Sequence, residues 1–224
     1  MSMILNIDTS IETASVSIAK DGIILASVKN AIQKEHATFL HLAIQEVLKT
    51  TALELAQMDA IAVTKGPGSY TGLRVGMATA KGLCYATKKP FITIGTLEAL
   101  ATAALPETKE ITPLNALICP MIDARRMEVY TAVFDRDMNE IMAPCAMILN
   151  EQSFAELLQN KHIIFTGSAV QKWQPLVKSA ATSFIYETDI TAAIGQLSYS
   201  KFIHHEFSDL IYTDPLYIKD FFSA

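Results

Sequence analysis

The stretch Ala60-Ile61-Ala62-Val63-Thr64-Lys65-Gly66-Pro67-Gly68-Ser69-Tyr70-Thr71-Gly72-Leu73-Arg74 decides how the chain folds. Its first five residues form a continuous apolar run closed by Thr64, the pattern of a strand covered on both faces, and the run ends in a glycine-rich loop. Apolar spacing then predicts a long helix over 71–87. Upstream, periodicity gives three strands over 4–8, 14–20 and 23–28. The last two are joined by Asp21-Gly22, a dipeptide suited to the positive φ of a type I′ hairpin turn. Leu40, Ala43, Ile44, Val47 and Leu48 fall at helical spacing over 36–49, and Thr51 with Glu54 has the spacing of a capping box for a short second piece. Downstream, a strand over 91–94 precedes a helix over 97–104 with Thr96 at its N-cap. The order βββαβαβα, a hairpin followed by parallel crossovers, builds a ribonuclease H-like α/β sheet.

Between Pro106 and Pro113 the chain turns polar, which marks the expected domain boundary. Residues 1–105 are expected to form a first lobe, joined by the tail 208–224, and residues 106–207 a smaller second lobe. The second half predicts strands over 117–121, 127–134, 141–149 and 163–166 and a short helix over 154–158. A long helix over 190–207, capped by Thr188 or Asp189, precedes an extended tail that starts at Asp214-Pro215. No sequence repeat is strong enough to argue that the halves are copies.

With 224 residues, 50% of them hydrophobic and 18% charged, the chain holds one large or two small domains and is too apolar for disorder. Charge-free runs reach about a dozen residues, short of the ~18–20 a membrane span needs. Met1 to Asp8 has no basic segment and meets an acid before an apolar core develops, so no signal peptide is read and a cytoplasmic location is expected. Cys84, Cys119 and Cys145 show no CxxC spacing and sit among apolar neighbours, as core residues do. A net charge of −5 disfavours unaided binding of nucleic acid.

Two readings of the Gly66–Arg74 loop stay open. Its glycines and the amides of a helix N-terminus can receive a phosphate or carboxylate, with Gly66, Gly68 and Ser69 as the contacts. Equally, it is a tight strand-to-helix turn capped by Ser69 or Thr71. The same choice applies to Asp8-Thr9-Ser10 at the end of the first strand, where Asp8 either holds a nucleotide or metal or closes an Asx turn. On the following helix Gly72, Gly76 and Ala80 make a ridge of small residues. Each glycine costs the helix ~1 kcal/mol relative to alanine and so needs a packing reason, either an internal sheet or a partner's helix. Arg74, Lys81 and Lys88 form a basic stripe away from that ridge. Asp123-Ala124-Arg125-Arg126 reads as a solvated hairpin tip or an anion clamp. The five histidines have no metal-ligand spacing, and no nucleophile is paired with a base.

Taken together, Ile4 to Ser10, Asp59 to Gly76, Ala80 to Leu83, Thr96 to Leu100 and Ile122 to Tyr130 resemble the TsaB family, formerly YeaZ. The resemblance spans most of the first 130 residues and is most specific at Gly66–Arg74. Asp214 to Lys219 matches the family's ending more loosely. Tyr70, His41 and Lys219 depart from its usual residues. The resemblance implies two ribonuclease H-like lobes of the actin, Hsp70 and sugar-kinase type. It also implies a non-catalytic role in forming N6-threonylcarbamoyladenosine at position 37 of tRNAs reading ANN codons. TsaD, the direct partner, transfers the threonylcarbamoyl group from threonylcarbamoyl-adenylate, and the ATPase TsaE joins them. A homodimer is expected in isolation, with no cofactor of its own. ATP or ADP and a divalent metal are supplied mainly by the partners, and tRNA is touched only indirectly or weakly. In TsaD a His-x-x-x-His pair holds a metal where this chain has Thr96 and Leu100, and leucine donates no lone pair. Docking is expected through Phe39, Leu40, Gly72, Arg74, Gly76, Ala80 and Leu83. The competing reading is a stand-alone nucleotide-binding phosphotransferase using Asp8 and the glycine loop.

Overall fold

β1 (Met3–Asp8), β2 (Ala14–Lys20) and β3 (Ile23–Asn30) form an antiparallel meander. β4 (Ala60–Gly66) and β5 (Phe91–Gly95) add in parallel on the other side of β1, giving the order β3-β2-β1-β4-β5. The computed structural model describes residues 1–32, 36–111, 113, 115–186 and 188–219. Leu5, Ile7, Val16, Ile18, Ile61 and Val63 share one face of this sheet, because side chains alternate along a strand. There they meet Leu40, Ala43, Ile44 and Val47 of α1 (His36–Thr51) and Met77, Ala80 and Cys84 of α2 (Tyr70–Thr87). Each large apolar side chain so buried contributes about 1.5–3 kcal/mol. The opposite face carries α6 (Thr191–Ile203), whose Gly195 lets the helix settle on β3; a methyl there would lie 2.8 Å from Ile24.

The C-terminal strap, residues 208–216, returns to the same unit. Ser208 N donates to Phe91 O at 2.8 Å, and Leu216 N donates to Lys65 O at 2.6 Å. Asp209 shapes the strap by accepting the Ile211 and Tyr212 amides, both at 2.7 Å. These backbone hydrogen bonds, then nearby Lys81, hold its carboxyl below the usual value of 3.8. Because the folded value is depressed, the strap's support from Asp209 is full above about pH 4 and is lost as pH falls through the lower value. The protection of the Ile211 and Tyr212 amides, measured against their intrinsic exchange rates at each pH, should therefore fall only under strongly acid conditions, and a fall already at pH 5 would contradict this assignment.

The second unit repeats the topology. β6 (Leu117–Asp123), β7 (Glu128–Phe134) and β8 (Glu140–Ile148) form the meander, and β9 (Ile163–Thr166) and β10 (Thr182–Ile185) add in parallel, in the order β10-β9-β6-β7-β8. α3 (Thr96–Ile111) and the one-turn helices α4 (Ala155–Leu158) and α5 (Val170–Trp173) complete it. Its core centres on fully buried Trp173, edge-on to Phe154 and Phe165 with ring centroids 5.5 and 5.6 Å away.

The boundaries differ from those expected. One compact unit holds 1–96 with 191–216, the other 97–190 with 217–224. The long final helix thus belongs to the first unit, since its apolar residues cover that sheet, and α3 belongs to the second. α3 also runs through Pro106, where the sequence marked a break. Thr51 ends α1 by donating to Val47 O at 2.8 Å, and the capping interaction sits one step later, where Glu54 N donates to Gln57 Oε1 at 2.7 Å. α5 and β10 have no counterpart in the sequence reading, and α6 stops at Ile203, short of 207. Among the described residues no helix is long and apolar enough to cross a membrane.

Candidate functional site

Asp8, at the C-terminal end of β1, is 1% exposed, and its Oδ1 gathers three hydrogen bonds. Ser10 N donates at 2.9 Å, Ser10 Oγ at 2.6 Å and, from the end of β4, Thr64 Oγ1 at 2.7 Å. Thr9, equally buried, donates from Oγ1 to the Gly72 carbonyl at 2.7 Å. Ser69 N donates to the Ser10 carbonyl at 2.7 Å, while Ser69 Oγ accepts from Gly72 N at 3.3 Å as the N-cap of α2. The residues singled out from sequence, Asp8, Thr9, Ser10, Gly66, Gly68 and Ser69, therefore do converge. They form a knot in which hydrogen bonds tie the β1–β2 turn to the end of β4 and the start of α2.

The glycines explain how the two segments come so close. A methyl on Gly68 would overlap the Ser10 carbonyl oxygen, one on Gly72 the Thr9 carbonyl oxygen, and one on Gly76 the Thr9 hydroxyl. Gly66, at φ +110°, ends β4 in the left-handed region, and a methyl there would lie 2.8 Å from Leu216 O of the strap. The small-residue ridge is thus turned inward. Gly72, Gly76 and Ala80 are buried against this unit's own sheet and turn, which corrects their expected place in a partner's interface. Leu40 is likewise fully buried in the core. Of the expected docking set, Arg74 is exposed, held over the Tyr70 ring at 4.8 Å, and Phe39 and Leu83 are half-buried. Phe39 lines a groove with Val28, Leu42 and Glu46 on the β3 side of α1.

As a nucleotide or metal cradle the knot fits poorly. Ser69, Gly72 and Leu73 amides already donate within the chain, and Gly68 and Gly72 abut backbone carbonyls, which repel a phosphate. No cluster of three His, Cys, Asp or Glu able to share a metal occurs among the described residues. Burial pushes the Cys84 and Cys119 thiols up to about 12 and also raises that of Cys145, so none is a ready nucleophile.

The second unit carries a matching arrangement that the sequence reading left undetected. Asp123 ends β6 as Asp8 ends β1, and its Oδ1 accepts Arg125 N at 2.6 Å. Gly167, at φ +99°, follows β9 as Gly66 closes β4, and the next residue, Ser168, accepts Asp123 N through Oγ at 3.1 Å. Asp123 also pairs with Lys172 of α5 at 2.7 Å. Arg125 and Arg126 are exposed at the hairpin tip, an arrangement that fits both of its readings.

A family model for TsaD, tRNA N6-adenosine threonylcarbamoyltransferase, matches residues 24–213. The tRNA threonylcarbamoyladenosine biosynthesis protein TsaB of Escherichia coli is 32% identical over 181 residues, 79% of this chain and 76% of that protein. A tRNA N6-adenosine threonylcarbamoyltransferase of Granulibacter bethesdensis is 40% identical over 118 residues, 46% of this chain and 32% of that protein. Among solved structures, a Pseudomonas aeruginosa protein described as similar to peptidase YeaZ superposes with a TM-score of 0.83. It has 22% identity and covers 98% of this chain and all of its own.

Proposed function

The chain belongs to the TsaB (YeaZ) family of the actin-like ATPase superfamily, and from that premise we propose that it serves threonylcarbamoyladenosine formation on tRNA as a non-catalytic subunit, binding and activating a TsaD-type transferase. The observation that carries this reading is the knot at Asp8. Where a catalyst of this fold would present open donors to a phosphate, this chain closes the turn on itself with hydrogen bonds and glycine contacts. Thr96 and Leu100, in place of the histidine pair that the family resemblance assigns to TsaD, are both buried core residues. Nucleotide and metal then belong to the partners, and TsaE joins the same assembly.

Docking uses the outward surface of α1 and α2, where Arg74 and the half-buried Phe39 and Leu83 remain available. The same surface permits pairing of two copies in isolation. Gly82 lies in the middle of the outward face of α2, and a side chain added there meets nothing within 4 Å. Gly82→Arg should reduce co-purification with the transferase at least tenfold while leaving the fold intact; unchanged capture would remove this surface from consideration. In a reconstituted modification assay, omission of the chain should abolish product, and the chain alone should yield none. Turnover of threonylcarbamoyl-adenylate by the isolated chain, or tight binding of ATP and magnesium to it, would instead establish the phosphotransferase reading.

A further inference from the structure

Within the second unit, a half-open cleft of about 270 Å³ is lined by the start of β6, the β7–β8 turn, α4 and the loop before β9. That is the share of about nine water molecules at ~30 Å³ each. Ala116, Leu117, Ile141 and Leu157 give the cleft an apolar lining, and Arg136, Asp137 and Lys161 bring charge to it. Hydrogen bonds fix the segments that carry these charges. Asp135 Oδ1 accepts the Asp137 and Asn139 amides, and its Oδ2 accepts Asn139 Nδ2, all at 2.9 Å, so this carboxylate is spent on the turn that presents Asp137. On the other segment Lys161 N donates to Leu157 O at 2.9 Å, and Leu117 N donates to the carbonyl of the next residue, His162, at 2.8 Å. Asp137 is exposed and Lys161 half-buried, and among the described residues neither side chain forms an ion pair or a hydrogen bond. Two opposite charges thus share one cleft without meeting.

A ligand with a single charge would match one of these groups and either repel the other or strip it of water. A phosphate, for example, would be set against Asp137. A molecule that carries both charges at one end and an apolar tail at the other satisfies the whole lining, which has the mixture of apolar walls and few polar groups found in small-ligand sites. We propose that this cleft binds a zwitterionic amino acid with an aliphatic side chain. Lys161 and Arg136 take its carboxylate, Asp137 takes its ammonium, and Ile141 and Leu157 cover its side chain. Valine or leucine, with about eight or nine non-hydrogen atoms, displaces about as many waters as the cleft holds. Because the two charged segments are already fixed by their own hydrogen bonds, little ordering is left to be done on binding. The site goes beyond the proposed role in tRNA modification and does not depend on it.

The test is titration of L-leucine into the full chain labelled with nitrogen-15, followed through its amide NMR shifts. Saturable shifts should centre on Asp137, Ile141 and Lys161, with a Kd of about 1 mM, which a ligand of about nine non-hydrogen atoms can reach. Three analogues divide the contacts: glycine lacks the apolar tail, N-acetyl-leucine the ammonium and isoamylamine the carboxylate. Each should bind roughly tenfold more weakly or worse. Lys161→Met and Asp137→Asn should each lower the affinity for leucine by about tenfold or more. Far-UV circular dichroism confirms that both variants fold, and the analogues test the same contacts on the unaltered chain. Absence of a saturable shift by about 20 mM leucine, twentyfold above the expected Kd, or shifts centred outside the cleft, would overturn the inference. So would binding of N-acetyl-leucine or isoamylamine as tight as that of leucine, or wild-type affinity in either variant.

Discussion

Gly72→Ala should destabilise the protein by about 3 kcal/mol or more, the upper end of overpacking costs, although alanine is the better helix former by ~1 kcal/mol. The added methyl overlaps the Thr9 carbonyl oxygen. That oxygen cannot swing aside, because Thr9 is fully buried and its hydroxyl is bonded to Gly72 itself. Gly82→Ala, ten residues along the same helix, is the control. Its methyl enters open space, so propensity alone acts and stability should rise by about 1 kcal/mol. Gly76→Ala falls between them, since the Thr9 hydroxyl that it meets is a side-chain tip and can turn aside at the cost of its hydrogen bond to Gly72. Urea midpoints followed by far-UV circular dichroism measure all three. A Gly72→Ala protein as stable as the wild type would mean that the turn and the helix are not locked together.

The second large effect is at Asp8. Asp8→Ala leaves the Ser10 amide, the Ser10 hydroxyl and the Thr64 hydroxyl without their acceptor. With each stranded buried donor costing ~1–3 kcal/mol, the loss should be about 3 kcal/mol or more. Asp8→Asn keeps one acceptor oxygen and most of the shape, and should lose roughly half as much. The pair separates the roles that the sequence left open. If Asp8 is structural, modification activity follows folded protein in both variants. If it grips a ligand within the assembly, Asp8→Asn loses activity far beyond its change in urea midpoint.

Much of the first unit was legible because its signals are local. Asp21-Gly22 sets a hairpin, Gly66-Pro67-Gly68 ends a buried strand, and the apolar spacing in α1 and α2 matches one helical face; all appear where expected. The glycines of α2 were also recognised as needing a close neighbour. Their direction was not readable, because spacing of four fits a turn of the same chain as well as a partner's helix, and only the tertiary fold decides. The second unit gave less. α4 and α5 are single turns, too short to establish a period, and β10 has an almost uniformly half-buried pattern instead of an alternation. The internal duplication rests on isolated residues, Asp8 with Gly66 and Asp123 with Gly167, separated by 58 and 44 positions. No alignment of the sequence with itself rewards so sparse a match. Pro106 misled in the opposite sense, since α3 continues through it although proline removes one helical hydrogen bond.

The discontinuity of the first unit has a consequence for biosynthesis. Its sheet needs residues 191–216 as cover, and these are translated after the other unit's core, which lies in one unbroken span. A nascent chain thus carries an open, apolar sheet surface throughout manufacture of the later-encoded half, which can close before it. Vectorial synthesis normally lets the earlier-made portion finish first; here the order is inverted, because the cover of the first sheet is made only after the whole core of the second.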